Sequence, residues 1–312
     1  MAKPSLPRRD LPQDGESDSD VLTSAPAMDT FSLADALQDA MPALDSEPLP
    51  STAPARADEP APPIALAEKL DLDEVEAFSD LPDDARTAFA SAATLHTLAA
   101  GEEIGTFALA YVVSGSFDVA ATVVDAPAVR LATGAVLRAR GTTDENVPIR
   151  LICAKGQGVI ATWSDVAVAE AFRSIPWVED DLRAAADRVQ TLVGITIGPL
   201  GERLDPAIRE EIVGRLTMRP LIAGEVVVNA GEPVPGLLLV GIGELELLKG
   251  DEKVGTVGSG EFLFPTEVLG AGSAPATARA GAGGALVMFG VRQIAQELLV
   301  TCPPLLEVLA GM

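Results

Sequence analysis

The chain has 312 residues, and 22 Lys and Arg against 46 Asp and Glu give it a formal net charge of -24. Binding to DNA or to an anionic lipid surface depends on Lys and Arg, so we expect neither nucleic acid nor a membrane as a partner. One histidine, His96, and two cysteines, Cys153 and Cys302, are too few for a His/Cys zinc site or a disulfide framework. The length suggests about two domains of roughly 100–200 residues.

The first twenty residues are charged and contain no apolar run, so we expect no signal peptide. Apolar runs such as 236–242 are far shorter than the ~20 residues that span a bilayer. The sequence therefore predicts a cytoplasmic protein, and its oligomeric state stays open.

Residues 1–66 hold 11 of the 24 prolines and an excess of acid, a composition typical of a disordered tail. One stretch within it has apolar residues at helical spacing, and it is either a short helix that docks into a groove of a partner or a transient helix. The residues that would contact a partner are Phe31, Leu33, Leu37 and Met41.

From about residue 67 the chain contains an internal repeat. A helix-like segment followed by an Ala-Gly-Glu turn occurs twice, and both Leu81 to Leu204 and Gly101 to Gly224 span 123 residues. Two later glycine pairs extend the repeat, and the first copy is shorter by five residues before the first of them. These pairs are Gly115 with Gly243 and Gly134 with Gly260.

Apolar and charged residues alternate in 243–249, which is typical of a strand with one buried face, and 250–253 predicts a hairpin turn. Helical patterns at 166–189 and 291–309 close the two copies. The sequence thus predicts a mainly β fold with flanking helices (α+β), with two small β-rolls at 67–195 and 196–312.

The order and spacing of five segments in the second copy resemble the cyclic nucleotide-binding domain family. The segments are Arg219–Val227, Asn229–Pro233, Gly236–Leu245, Val257–Phe262 and Ala276–Ala280. The first copy carries the resemblance more weakly, through Leu81, Ala100–Glu102 and Ser114–Gly115. The resemblance implies two tandem cyclic nucleotide-binding-like rolls.

In the family, a ligand cassette holds the cyclic phosphate with an arginine and backbone amides, and holds the ribose with a glutamate. Aligned from Gly260, the family's Phe-Gly-Glu falls on Leu263, Phe264 and Pro265. Counted back from Ala276, the family's arginine falls on Ala274. The signature groups are missing, so we expect cyclic nucleotide binding to be lost in this copy and no cofactor to be bound.

A gap in the alignment would leave an atypical ligand site in the second copy. Its members would be Gly260, Glu261, Glu267, Thr277 and Arg279, although Arg279 falls at a position that alternates away from the ligand. The first cassette is too short for its helix, and we expect its Arg138 and Arg140 to lie on a solvated turn near acidic residues.

No catalytic or metal site is expected. His96 lies in an alternating stretch without a partner nucleophile, and the cysteines have apolar neighbours. The glycine-rich run 281–285 lacks the Lys-Ser/Thr of a phosphate loop, so we interpret it as a turn between two strands.

We therefore expect a non-enzymatic regulatory or adaptor protein with unidentified protein partners, whose rolls act as interaction modules. The alternative is a cyclic nucleotide sensor with the atypical second site. Many proteins of the family that the chain resembles carry a helix-turn-helix after the domain; here the sequence stops at Met312, within the helix that closes the second copy, so we expect no DNA-binding module. Residues 1–67 carry a net charge of -8 and the remainder carries -16, which favours partners with basic or apolar surfaces.

Overall fold

The computed structural model describes residues 70–312, and within them it shows two β-rolls with flanking helices. The predicted fold class is therefore confirmed. The acidic tail lies outside the described residues, together with the proposed docking residues Phe31, Leu33, Leu37 and Met41. The predicted domain limits, at 66/67 and at 195/196, stay predictions. The first of them also lies outside the described residues.

The first roll consists of two antiparallel four-stranded sheets, ordered β1-β8-β3-β6 and β2-β7-β4-β5. Alternate residues of its strands face two different clusters: Ala110 and Val112 face the interior of the roll, whereas Leu109 and Trp163 face the helices. The strands are β1 (Thr94–Ala99), β2 (Glu103–Ile104), β3 (Leu109–Ser114), β4 (Ser116–Ala121), β5 (Val129–Ala132), β6 (Val136–Arg138), β7 (Ile149–Cys153) and β8 (Gln157–Trp163).

The second roll is one five-stranded antiparallel sheet, in which β9 pairs with β13 beside the order β10-β13-β11-β12. All five strands contribute to one apolar cluster, the second interior cluster, which includes Leu221, Val228, Leu238, Val257 and Ala278. The strands are β9 (Thr217–Leu221), β10 (Val226–Val228), β11 (Gly236–Lys249), β12 (Glu252–Val257) and β13 (Thr277–Val291).

The glycine-rich run 281–285 lies inside strand β13, so its interpretation as a turn between two strands is wrong. The strand continues because its register to β11 shifts there, and Gly284 takes a φ of 75°. Glycine adopts this left-handed backbone without the steric cost that a Cβ imposes.

Helix α5 begins with the Asp-Pro pair of the sequence. Asp205 caps α5 by accepting hydrogen bonds from the backbone of Ala207 and Ile208, and Pro206 occupies the first turn. Each predicted closing helix is split into two, the second break falling at Cys302 before Pro303. The helices are α1 (Asp83–Ser91), α2 (Asp165–Ala171), α3 (Pro176–Ile195), α4 (Pro199–Arg203), α5 (Pro206–Gly214), α6 (Pro265–Leu269), α7 (Arg292–Thr301) and α8 (Pro303–Ala310), and a short 3-10 turn covers Glu76–Phe78.

The repeated glycines share one backbone conformation. The three pairs found in the sequence all have positive φ, between 75° and 90°. A residue with a Cβ is strained in this region, which is why the turns require glycine in both copies. The pairs are Gly101 with Gly224, Gly115 with Gly243, and Gly134 with Gly260.

Candidate functional site

The segment that aligns with the ligand cassette begins at the end of β12 and ends at the start of β13. Its middle contains the short helix α6, and Phe264 precedes that helix with a φ of 50°. This left-handed conformation stands where the family resemblance places a glycine. An aromatic residue therefore occupies a backbone position that is strained for any residue with a Cβ.

The Phe264 side chain is buried, with 7% of its surface exposed, and packs in the second interior cluster together with Leu263. Ala274, where the resemblance places the phosphate-binding arginine, is 3% exposed and belongs to the same cluster. Pro265 begins α6 and has no backbone N–H to donate. The positions that the resemblance assigns to the ligand-binding glycine and arginine thus carry buried apolar side chains of the second interior cluster.

Gly260 and Glu261 form the turn after β12. Gly260 has a φ of 84° and is packed so tightly against Gly198 that a side chain would overlap the backbone there. A carboxylate oxygen of Glu261 accepts a hydrogen bond from the Gly258 amide at 2.7 Å. The Glu261 carboxylate therefore stabilises the turn.

Arg279 faces away from the roll interior, because its neighbours Ala278 and Ala280 belong to the second interior cluster. Its Nε and Nη2 donate to one carboxylate oxygen of Glu246, at 2.9 and 2.8 Å. The other Glu246 oxygen lies 3.1 Å from Nζ of Lys253. Hydrogen bonds from Arg279 and then Lys253 hold the pKa of Glu246 below its usual range.

The remaining two predicted ligand residues, Thr277 and Glu267, lie at the end and in the middle of the cassette segment. Thr277 begins β13, and its hydroxyl accepts a hydrogen bond from the Ala230 amide at 3.1 Å. Glu267 lies in the first turn of α6 and is partly exposed. The polar groups of Glu261, Thr277 and Arg279 are thus used in contacts within the protein. The atypical site stays a prediction, without support from these contacts.

The first roll has a loop, residues 139–148, in place of a cassette helix. Side chains of α3 hold this loop by hydrogen bonds to it. Arg183 donates to a backbone carbonyl, and Asp187 accepts from an amide and a hydroxyl. Gln190 donates to one backbone carbonyl and accepts from one backbone amide. The bonds are Arg183 Nε to Gly141 O (2.7 Å), Thr142 N and Oγ1 to Asp187 (2.8 and 2.6 Å), Gln190 Nε2 to Ala139 O (2.5 Å) and Val147 N to Gln190 Oε1 (2.9 Å).

These three α3 residues were not predicted from the sequence, although the sequence contains a signal for them. Arg183, Asp187 and Gln190 are four and three positions apart, so they share one helix face. Asp187 and Gln190 are buried. Buried polar residues on one helix face require hydrogen-bond partners, and here the partners are the backbone groups of the cassette loop.

Arg138 does not lie on a solvated turn, contrary to expectation, because it is 7% exposed. Its Nη1 donates to the Ala108 carbonyl, and its Nη2 lies 3.0 Å from Asp165 and 3.4 Å from Glu179. The expectation of acidic neighbours is correct, and burial arises because the end of β6 packs against α2 and α3 rather than projecting into water. Arg140 is exposed, as expected.

Helix α3 also contacts the second roll at close range. A methyl group added to Gly194 would overlap the carbonyl of Gly241 in β11, and one added to Gly198 would overlap the carbonyl of Gly260. Polar residues in the middle of α3 hold the first cassette loop, and Gly194 near its end packs against β11 of the second roll. Gly198, three residues beyond α3, approaches Gly260 at the start of the second cassette. The segment 176–198 thus contacts both cassettes.

His96 lies on β1, where its Nε2 is 3.0 Å from the Thr162 hydroxyl, and both cysteines are buried, as expected. Desolvation raises the pKa of Cys153 above its usual range. Within residues 70–312 no cluster of His, Cys, Asp and Glu is arranged to hold a metal ion. In the same range no helix is long and apolar enough to cross a membrane.

The two sheets of the first roll, the glycine turns and the flanking helices together define the fold. It resembles the cyclic nucleotide-binding domain. No family model matches the sequence, and the search of curated proteins found no match.

Solved structures similar to this chain include regulatory proteins from three organisms. The regulatory domain of Toxoplasma gondii PKA with cAMP is 14% identical, with a TM-score of 0.33, and the match covers 75% of this chain and 92% of that one. The regulatory subunit of a cAMP-independent protein kinase A from Trypanosoma brucei is 14% identical, with a TM-score of 0.34, over 75% and 83%. The Thermus thermophilus catabolite activator protein is 23% identical, with a TM-score of 0.33, over 36% and 55%.

Proposed function

We propose that this chain is a non-enzymatic regulatory or adaptor protein of the cytoplasm, in which two cyclic nucleotide-binding-like rolls act as interaction modules and no longer bind a cyclic nucleotide. The observation that carries this proposal is Phe264, which packs into the second interior cluster where the family resemblance places a glycine.

The electrostatics of the second cassette support the loss of the ligand. A cyclic phosphodiester is an anion, and its natural partners are an arginine fork and free backbone amides. Ala274 offers no charge and Pro265 no amide, while the chain from residue 68 onward carries a net charge of -16. An anionic ligand would enter against this field without local compensation.

The first cassette supports the same conclusion by a different route. Backbone groups of loop 139–148 are already paired with Arg183, Asp187 and Gln190 of α3. A ligand that needed these groups would have to displace hydrogen bonds within the protein. In our proposal, the loop is therefore a structural element that connects the roll to α3.

Melting temperatures with millimolar cAMP, cGMP and a cyclic dinucleotide test the loss of binding. A ligand that binds only the folded chain raises the melting temperature, so we expect no shift with the full-length protein. A saturable rise that Glu267→Ala or Arg279→Ala abolishes would establish the sensor instead. Arg219→Ala is the matched control, since Arg219 forms a similar exposed ion pair with Glu225.

Affinity capture from cell extract tests the adaptor role. The full chain is compared with a variant that lacks residues 1–66, so that tail-dependent and roll-dependent partners separate. We expect partners with basic or apolar surfaces, retained at moderate salt. Retention of no protein by either form at any salt concentration would contradict the adaptor role.

A further inference from the structure

Strand β1 lies at an open edge of the first roll. Within the described residues it pairs only with β8, in a continuous antiparallel register that begins at Thr94 with Thr162. None of its six residues is buried. An edge strand of this kind presents a row of unpaired N–H and C=O groups to any chain that approaches it.

Alternate residues of β1 direct their backbone groups away from β8. The amide of Ala100, the residue after β1, donates to a carbonyl of the turn before β8, so even-numbered residues bond towards β8 and odd-numbered residues face outward. The N–H and C=O of Ala99 accordingly bond to Glu102 in the following turn. Leu95 and Thr97 face the same way, and their backbone groups have no partner among the described residues.

Strand β1 lacks the features that protect edge strands from pairing with other chains. Natural edge strands are very short, or they carry a charge or a proline. Residues 87–101 contain no Asp, Glu, Lys, Arg or Pro, in a chain whose net charge is -24. Each of the other edge strands within residues 70–312 has three residues or fewer, or contains a charged residue; these strands are β2, β5, β6, β9, β10 and β12.

We propose that two copies of this chain associate through β1, antiparallel to each other about a two-fold axis at His96. Leu95 of one copy then lies opposite Thr97 of the other, and the two residues exchange both of their backbone hydrogen bonds. The axis creates this pair twice, so every outward group of Leu95 and Thr97 gains a partner. The two sheets join into one, ordered β6-β3-β8-β1-β1-β8-β3-β6.

A second copy fits this edge because of its charge. A two-fold interface uses the same patch on both partners, and two chains of charge -24 repel each other wherever acidic patches would meet. At β1 the patch is uncharged, so no like charges stand opposite each other. A basic partner would gain no ion pair from this strand. The proposal goes beyond the adaptor role and does not depend on it.

Sedimentation velocity of the full-length protein measures the association. A single pair of strands buries little surface, so we expect a dissociation constant of about 1–100 μM. Salt screens the repulsion between the acidic chains, so the dimer should tighten as sodium chloride rises from about 50 to 500 mM. A chain that stays monomeric above this protein concentration range would overturn the proposal, and so would a dimer that salt weakens.

Thr97→Pro removes an outward N–H and leaves the hydrogen bonds to β8 intact, because proline is tolerated where the N–H of an edge strand faces solvent. Half of the hydrogen bonds between the copies are then lost. The dissociation constant should rise by about tenfold or more. An unchanged dissociation constant would overturn the proposal.

A charge swap at the same position distinguishes a second copy from any other occupant of the edge. About the axis, Thr97 and its copy are diagonal neighbours on one face of the joined sheet, roughly 7–8 Å apart. Thr97→Glu places like charges there and should weaken the dimer by about fivefold. An equimolar mixture of Thr97→Glu and Thr97→Lys should regain at least the wild-type affinity, because opposite charges then meet. Thr256→Glu adds the same charge at an exposed position of β12 and should leave the affinity unchanged.

Weakening by Thr97→Glu with recovery in the mixture supports the proposal. Equal dissociation constants for Thr97→Glu and Thr256→Glu would overturn it, and because both threonines are exposed, that result cannot be attributed to misfolding. A mixture that does not recover would show that β1 pairs with something other than its own copy, which would also overturn the proposal.

Discussion

Replacing Phe264 with glycine should destabilise the protein less than replacing it with alanine. Both variants lose a buried aromatic side chain, at a cost of about 3–5 kcal/mol. Alanine also keeps the strain of a φ of 50°, worth about 1–2 kcal/mol, whereas glycine relieves it. Glycine normally costs about 0.5–1 kcal/mol relative to alanine. The glycine variant should therefore be more stable than the alanine variant by up to roughly 1.5 kcal/mol.

Phe117 is the matched control for this comparison. It is fully buried in β4, where the backbone is extended and carries no left-handed strain. There glycine should be less stable than alanine by about 0.5–1 kcal/mol, so the order of the two variants reverses between the positions. Urea unfolding gives the free energies. If glycine is the less stable variant at both positions, the assignment of strain at Phe264 is wrong.

Two further predictions concern the contact between the rolls and the response to acid. Gly194→Ala should destabilise the protein by about 1–3 kcal/mol in urea unfolding, since its methyl group would overlap the Gly241 carbonyl. Gly214→Ala is the control: its methyl group would meet open space, so the substitution should be neutral or stabilising by up to ~1 kcal/mol. Equal effects of the two substitutions would contradict the tight α3 contact. The ion pair of Glu246 with Arg279 lowers the pKa of the carboxyl, so its stabilisation is present above about pH 4.5 and disappears as pH falls through the folded-state pKa. Glu246→Gln should then unfold at lower urea than the wild type at neutral pH but at similar urea in acid, and an unchanged difference across the pH range would refute the linkage.

Much of the fold could be predicted from local signals. The repeated glycines mark turns that need positive φ, a requirement of a single residue that does not depend on its neighbours. Alternation in β11 and the Asp-Pro start of α5 are likewise local. The sequence also predicts that the family's cassette residues are replaced by Phe264, Pro265 and Ala274, because this follows directly from which residue stands at each aligned position.

The parts that could not be predicted depend on tertiary packing. Arg138 is buried because α2 and α3 pack beside the end of β6, which no local pattern indicates. Strand β13 continues through its glycine-rich run because a register shift against β11 accommodates the extra residues between Ala280 and Ala285.

Hydrogen exchange of the full-length protein, with and without millimolar cAMP or cGMP, tests the loss of cyclic nucleotide binding most directly. The informative peptides cover residues 134–150 and 258–280, the two cassette segments. If the protein's own side chains occupy both cassettes, exchange in these peptides should be identical with and without nucleotide. Protection that appears in either peptide and saturates with nucleotide concentration would contradict the account and would identify the roll that still binds.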